Sequence, residues 1–144
     1  MTAYRYSTKI TENCAKAVGV SLPISLKKGT MVCQAVRGMN VQKAKKLLED
    51  AINLKKAIPF TRYNHNVAHK AGMAGGRFAV KTCEEILDLL KSAEANAQFK
   101  GLSTGNLIIR HASTQKGPTT QRYGRKRTKT KRAHVEFVLE EVKK

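Results

Sequence analysis

No Asp or Glu stands anywhere from Ala95 to Val135, and within that window the nineteen residues Lys116–His134 carry eight Lys and Arg. They are Lys116, Arg122, Arg125, Lys126, Arg127, Lys129, Lys131 and Arg132. Burying a lone charge costs on the order of several kcal/mol, so this stretch cannot enter a core and must face water or a polyanion. Short β-like runs flank it, Leu107–Ile109 and Val135–Leu139. Two strands joined by such an arm make a hairpin that leaves its own domain. A solvated, solubility-giving face is the plainer account of a charge run, but those faces usually mix signs. Like charges this dense repel one another, and a polyanion offsets that repulsion. Structured RNA is the first partner to consider.

The rest of the composition narrows the class. The chain has 144 residues, and 28 Lys and Arg face 10 acids for a net charge of +18. That field points to nucleic acid. An anionic membrane surface is the competitor, yet no helix pattern separates Lys cleanly from large apolar residues. No apolar run approaches the ~20 residues that cross a bilayer, and MTAYRYSTKI lacks the apolar core of a signal peptide. With 41% hydrophobic residues the chain can bury a core. Residues 1–13 read as a flexible N-terminal segment, and 14–144 as one domain that includes the extended hairpin 106–141. Cys14, Cys33 and Cys83 are odd in number and widely spaced, which suits buried thiols in a reducing compartment. Trp is absent and aromatics are 6%, so phosphate and shape contacts should dominate over extended stacking platforms.

Hydrophobic periodicity gives the element order. Ala15–Ile24 reads as a strand. Ser25 can cap a helix from Leu26 carrying Met31, Val32, Ala35 and Val36, with a stop at Gly38. Asn40 caps a second helix whose stripe is Val41, Ala44, Leu47, Leu48, Ala51 and Ile52. Residues 59–79 are long and irregular, the kind of connection that is usually functional or disordered. A third helix from Val80 to about Lys100 has the strongest periodicity and should bury Ile86, Leu87 and Leu90; Gly101 ends it. The last strand should turn Val135, Phe137 and Leu139 to one face and His134, Glu136 and Glu140 to the other. Ile109 is expected to pair with about Phe137. The fold class is α+β: a small three-stranded antiparallel sheet packed on three helices, with a long protruding basic β-hairpin.

Catalytic and metal chemistry find little support. His65 and His69 are four apart, but no third ligand is local and the cysteines form no close pair. Gly72, Gly75 and Gly76 lack the Gly-Lys-Ser/Thr of a phosphate-hydrolysing loop. A backbone phosphate docking before the third helix, helped by Arg77 and Lys81, weighs evenly against plain turn glycines. The only aspartates, Asp50 and Asp88, fall on polar helix faces, and adjacent acids such as Glu84 and Glu85 point apart. No enzyme, metal or cofactor is expected.

Four stretches carry a family resemblance. Ser92-Ala93-Glu94-Ala95-Asn96-Ala97-Gln98-Phe99-Lys100-Gly101-Leu102 resembles the signature of the large-subunit ribosomal protein L twenty-two family, called L seventeen in the eukaryotic cytosol. Ser92 replaces the usual first Asn of its Asn-Ala-Glu-x-Asn-Ala run. Ile24–Lys28 is similar to the family's strand-to-helix turn. Val36-Arg37-Gly38-Met39 with Ala44 and Leu47-Leu48 is similar to its turn between helices. Pro59-Phe60-Thr61-Arg62-Tyr63-Asn64 with His69-Lys70 resembles an insertion of archaeal and eukaryotic cytosolic members. The resemblance spans roughly residues 14–141. One departure is clear: family hairpin tips read Pro-Arg-Ala-x-Gly-Arg-Ala, whereas Gln121-Arg122-Tyr123-Gly124-Arg125-Lys126 keeps only Gly-Arg, on a shorter arm.

The resemblance implies a structural constituent of the large ribosomal subunit in the cytoplasm. Its partners would be large-subunit rRNA, neighbouring large-subunit proteins and the nascent polypeptide in the exit tunnel, with no membrane. It adds Lys27, Lys28, Arg37, Arg62, His69 and Lys70 to the rRNA-binding candidates, beside Arg77, Arg110 and the eight arm cations. It sets Arg122, Tyr123, Gly124 and Arg125 at a tunnel-facing tip. The competing functions are a free-standing basic RNA chaperone or regulator and, from another class, a nucleic-acid-processing enzyme, which would need a convergent acidic or metal site.

Overall fold

The last strand of the sequence lies in the middle of the sheet. A computed structural model describes residues 4–9 and 11–142; the remainder of the expected N-terminal segment, 1–3 and 10, and Lys143–Lys144 lie outside the described residues. The elements in chain order are β1 (Cys14–Leu22), α1 (Leu26–Val36), α2 (Val41–Ile52), β2 (Ile58–Pro59), β3 (Gly76–Arg77), α3 (Val80–Phe99), β4 (Leu107–Lys116) and β5 (Ala133–Glu141). The main sheet is antiparallel with order β1-β5-β4, and β2 and β3 form a separate two-stranded ribbon inside the segment expected to be irregular.

The helices follow the apolar stripes. Asn40 caps α2 by accepting the Gln42 N–H at 2.9 Å, whereas Ser25 precedes α1 without a side-chain capping bond. Gly101 takes φ 74° just past α3, the left-handed conformation that ends a helix. Ile86, Leu87 and Leu90 of α3 are buried, as their spacing predicts. So are Val41, Ala44, Leu48 and Ala51 of α2, while Leu47 and Ile52 sit at its margin. Gly29 of α1 backs onto β4: a Cβ there would meet the Thr114 side chain at 2.8 Å, so only glycine admits this approach. Cys33, one turn on, lies 3.1 Å from the Thr114 hydroxyl. All three cysteines are free and buried, and burial pushes the Cys33 and Cys83 thiols up to about 11, which leaves them unreactive.

The Ser92–Leu102 run works as a joint. Glu94 takes Lys45 and Gln42 of α2, and the Asn96 amide donates to the Lys16 carbonyl of β1 at 2.9 Å. Ala93 and Ala97 face the core between them and are buried. Small residues let α3 sit close to both neighbours, and its polar flanks fix its rotation.

One expectation needs correction. Ile109 pairs with Leu139, and Phe137 pairs with Ala112, because the arm, with Thr120 opposite Thr130 and Arg122 opposite Thr128, turns later in the chain than a pairing of Ile109 with Phe137 requires; a bulge at Arg110 takes back one residue of that offset. β5 alternates between two faces as expected, but both of them are covered. Glu136 is fully buried, at 0% exposure, and Val138 with it. The cover is the chain before β1: the Tyr4 hydroxyl donates to Glu136 Oε2 at 3.2 Å, the Ser7 N–H donates to it at 3.3 Å, and the Ser7 hydroxyl binds Oε1.

Candidate nucleic-acid interface

The arm continues the β4–β5 ladder in pieces. Gly117 N–H donates to Arg132 O at 3.0 Å, Thr130 N–H to Thr120 O at 2.8 Å, and Arg122 N–H to Thr128 O at 3.2 Å. Gly124 turns the chain with φ 65°. Residues 121–129 are all exposed, and Tyr123 is 97% exposed. None of Arg122, Arg125, Lys126, Arg127, Lys129 or Lys131 has an acid partner among the described residues.

The arm borders the head from its root as far as Arg122, two residues before the Gly124 turn. A cavity of about 330 Å³ lies between the two, lined by Pro23, Ile24 and Ser25 on one side and by Arg122, Lys129, Lys131 and Arg132 on the other, with Lys81 of α3 at its edge. A second, of about 360 Å³, joins Ser25, Leu26 and Lys27 to Lys116, Lys131 and Arg132. Arg132 is held there by a bond to the Ser21 carbonyl at 3.1 Å. Both cavities open at the N-terminus of α1, whose free N–H groups and helix dipole favour an anion.

Lys27 also lines a cleft of about 410 Å³ with Tyr63, His65, Asn66 and Arg77. Cationic surface thus runs from the arm, across α1, to the 59–79 segment. Further along, Lys70 shares a cavity of about 430 Å³ with Lys55, Lys56 and Phe78. Arg62 lies over the Tyr63 ring at 5.4 Å. Lys28 is part-buried on α1 and His69 is exposed; neither lines these clefts. Two other candidates hold the protein together. Arg37 Nη2 donates to the Ala112 carbonyl at 2.6 Å, and Arg110 pairs with Glu140 at 2.8 Å. The residues that sequence reasoning left out of the interface are Tyr63, Asn66, Lys55 and Lys56. A signal was present: residues 51–83 form a second window without any acid.

One donor of the glycine stretch is taken up inside its own loop. Gly76 N–H donates to Ala68 O, and Gly75 O accepts from Phe60 N–H, so these groups close the loop on itself. No group of three His, Cys, Asp or Glu among the described residues could hold a metal, and no helix among them is long and apolar enough to cross a membrane. The nearest approach to a catalytic constellation is Ser7, His111 and Glu136. There His111 Nε2 serves both partners, at 3.0 Å from Ser7 Oγ and 2.9 Å from Glu136 Oε1. A relay needs the two ring nitrogens to serve different partners, so this cluster is a clasp for residues 4–9.

Burial alone would raise the Glu136 carboxyl. The Ser7 hydroxyl, His111, the Ser7 N–H and the Tyr4 hydroxyl together outweigh it and hold the group below the ordinary carboxylate range. A carboxylate with a depressed folded-state pKa contributes stability above the unfolded value, ~4.3 for Glu, and loses it as pH falls through the folded value. Glu136→Gln should therefore lower the urea midpoint at pH 7, with the gap to the native protein closing below about pH 4. Urea unfolding at a series of pH values checks this.

A small α+β head, edged by cation-lined clefts and an acid-free arm, has the build of a structural protein that meets a polyanion. The sequence profile of the ribosomal protein L22p/L17e family matches residues 17–140. The chain is 42% identical over 123 residues to the large ribosomal subunit protein uL22 of Archaeoglobus fulgidus, covering 83% of this chain and 79% of that one. It is 40% identical over 152 aligned positions to its counterpart in Methanothrix thermoacetophila, covering 99% and 100%, and 39% identical over 158 to that of Ignicoccus hospitalis, covering 99% of each. The chain belongs to the ribosomal protein L22p/L17e family, whose members are structural rather than catalytic.

Proposed function

We propose that this protein is a structural constituent of the large ribosomal subunit, in the cytoplasm. In this reading residues 14–144 form one rRNA-binding unit that supports subunit assembly, and hairpin 106–141 reaches the wall of the peptide exit tunnel. The observation that carries it is the continuity of exposed cations from the arm tip to the clefts beside Lys27 and Arg77. A spread-out anionic surface fits that track; a small ligand would not need it. Lys27, Lys28, Arg62, His69, Lys70, Arg77 and the eight arm cations would meet phosphates. Arg37 and Arg110, already bonded within the protein, each keep guanidinium donors free for a further contact. Neighbouring ribosomal proteins would be the other partners. Arg122, Tyr123, Gly124 and Arg125, at the turn, would face the tunnel lumen and the nascent chain.

Sedimentation of a tagged chain through a gradient at moderate salt tests the reading. It should travel with the large subunit in one-to-one ratio, whereas a free-standing RNA chaperone would stay near the top. A variant lacking Tyr123–Arg125 should still co-sediment, because the shaft and head contacts remain, and should change the response to tunnel-binding macrolides. If that deletion blocks assembly and Tyr123 crosslinks only to rRNA, the tip is an RNA anchor and the tunnel role is wrong.

A further inference from the structure

The ribbon β2–β3 closes a loop that presents one aromatic ring under strain. Tyr63 has φ 57°, in the left-handed region that bulky residues seldom occupy. The loop around it is pinned. Phe60 is buried and its N–H donates to Gly75 O at 2.9 Å, and Arg62 N–H points at Met31 Sδ of α1 at 3.4 Å. Arg77 on β3 donates to the Asn66 carbonyl at 2.8 Å, closing the far side. A frame this well tied could bury the ring, yet Tyr63 is 40% exposed. Backbone strain kept beside an exposed aromatic marks a surface shaped for something else.

The surroundings say what that is. Lys27 Nζ lies 5.5 Å from the ring centroid and the Arg62 guanidinium 5.4 Å from it. The cleft it lines, about 410 Å³, also holds His65, Asn66 and Arg77, and residues 51–83 supply no acid to oppose an anion. An aromatic face, an amide with an imidazole, and flanking cations are the three things an unpaired nucleotide offers partners for: its base plane, its base edge and its phosphates. An acidic peptide would use the cations alone and leave the ring and the Asn66 amide without a role.

We infer that this cleft is a nucleotide pocket, in which an unpaired RNA base stacks on Tyr63 while its phosphates lie between Lys27 and Arg77. The inference deepens the rRNA reading and rests on it. Asn66 and His65 meet the base edge. Lys27, shared with the cavity at the arm root, lets one strand pass from the pocket to the arm.

The test uses the full chain and large-subunit rRNA fragments in filter binding across a salt series, with Tyr63→Gly and Tyr63→Phe as variants. Glycine adopts φ 57° without strain, so Tyr63→Gly removes the ring while its unfolding midpoint holds or rises. Its affinity should fall about tenfold, the loss of one stacked base, with the salt slope unchanged. Tyr63→Phe should bind as the native chain does. Arg77→Gln should instead reduce the slope by about 1, as one phosphate contact is lost. Ultraviolet crosslinking of assembled subunits should join Tyr63 to a single nucleotide. If Tyr63→Gly binds as tightly as the native chain, or Tyr63 crosslinks only to protein, the pocket is overturned while a steep salt slope leaves the rRNA reading standing. A native slope near zero would remove both.

Discussion

Affinity of the native chain for large-subunit rRNA fragments is expected to fall steeply with salt, with a log–log slope steeper than about −4. Each phosphate neutralised releases counterions and contributes about −0.9 on a duplex, and less on single strands. Eight cations lie between Lys116 and Arg132, and residues 121–129 are all exposed, so half of the eight engaging is a low estimate. A slope of that size makes binding weaken by roughly two orders of magnitude between 50 and 200 mM salt. Replacing Arg125, Lys126 and Arg127 together by Gln should flatten the slope by about 2 to 3. Filter binding across a salt series measures both. Arg110→Gln should move the slope less, since Arg110 already pairs with Glu140.

The largest effect on stability is expected in α3. Leu90 is fully buried, on the helix that packs against both α2 and β1. Leu90→Ala should cost about 2–5 kcal/mol, the transfer energy of the lost methyl groups plus the cavity left behind. Against a total stability of roughly 5–15 kcal/mol for an ordinary domain, that is a large share. Urea unfolding should show a lower midpoint with an unchanged slope. Phe99 on the same helix is 94% exposed, so Phe99→Ala should barely move the midpoint. An equal loss at both positions would mean that α3 is packed in another phase.

Periodicity made α3 and α2 readable because the pattern repeats over several turns and both helices keep one face wet. Asn40 and Gly101 were readable because their conformations are local. What escaped was long-range. Glu136 alternates with apolar neighbours and reads as solvent-facing, but its cover comes from Tyr4 and Ser7, more than a hundred residues away. No local pattern announces a lid made of another segment. The β4 register escaped for a similar reason: the place where the arm turns and the bulge at Arg110 are fixed by pairing to β5 rather than by local residue type. The ribbon β2–β3 is only two residues a side and contains Pro59, too short for any period to show. In the interface, the cations themselves were visible as composition. Their convergence was not, since Lys27, Tyr63, Arg77 and Lys131 are distant in sequence and meet through the packing of α1 on the sheet.

The strand order β1-β5-β4 bears on how the molecule is made. Synthesis runs from β1 toward β5, yet β1 and β4 share no ladder among the described residues; within the sheet each is laddered to β5. Until Ala133–Glu141 has left the translating ribosome there is no sheet for α3 and α1 to pack on. Closing β1 onto β5 joins residues such as Ala15 and Leu139, a wide loop to close in one step. The sheet of the head therefore cannot close before β5 is made, and a nascent chain halted within the arm carries three amphipathic helices and two unpaired strands at once. For a strongly cationic polypeptide emerging beside a great excess of RNA, the interval before that closure is the period of greatest exposure to the wrong partner.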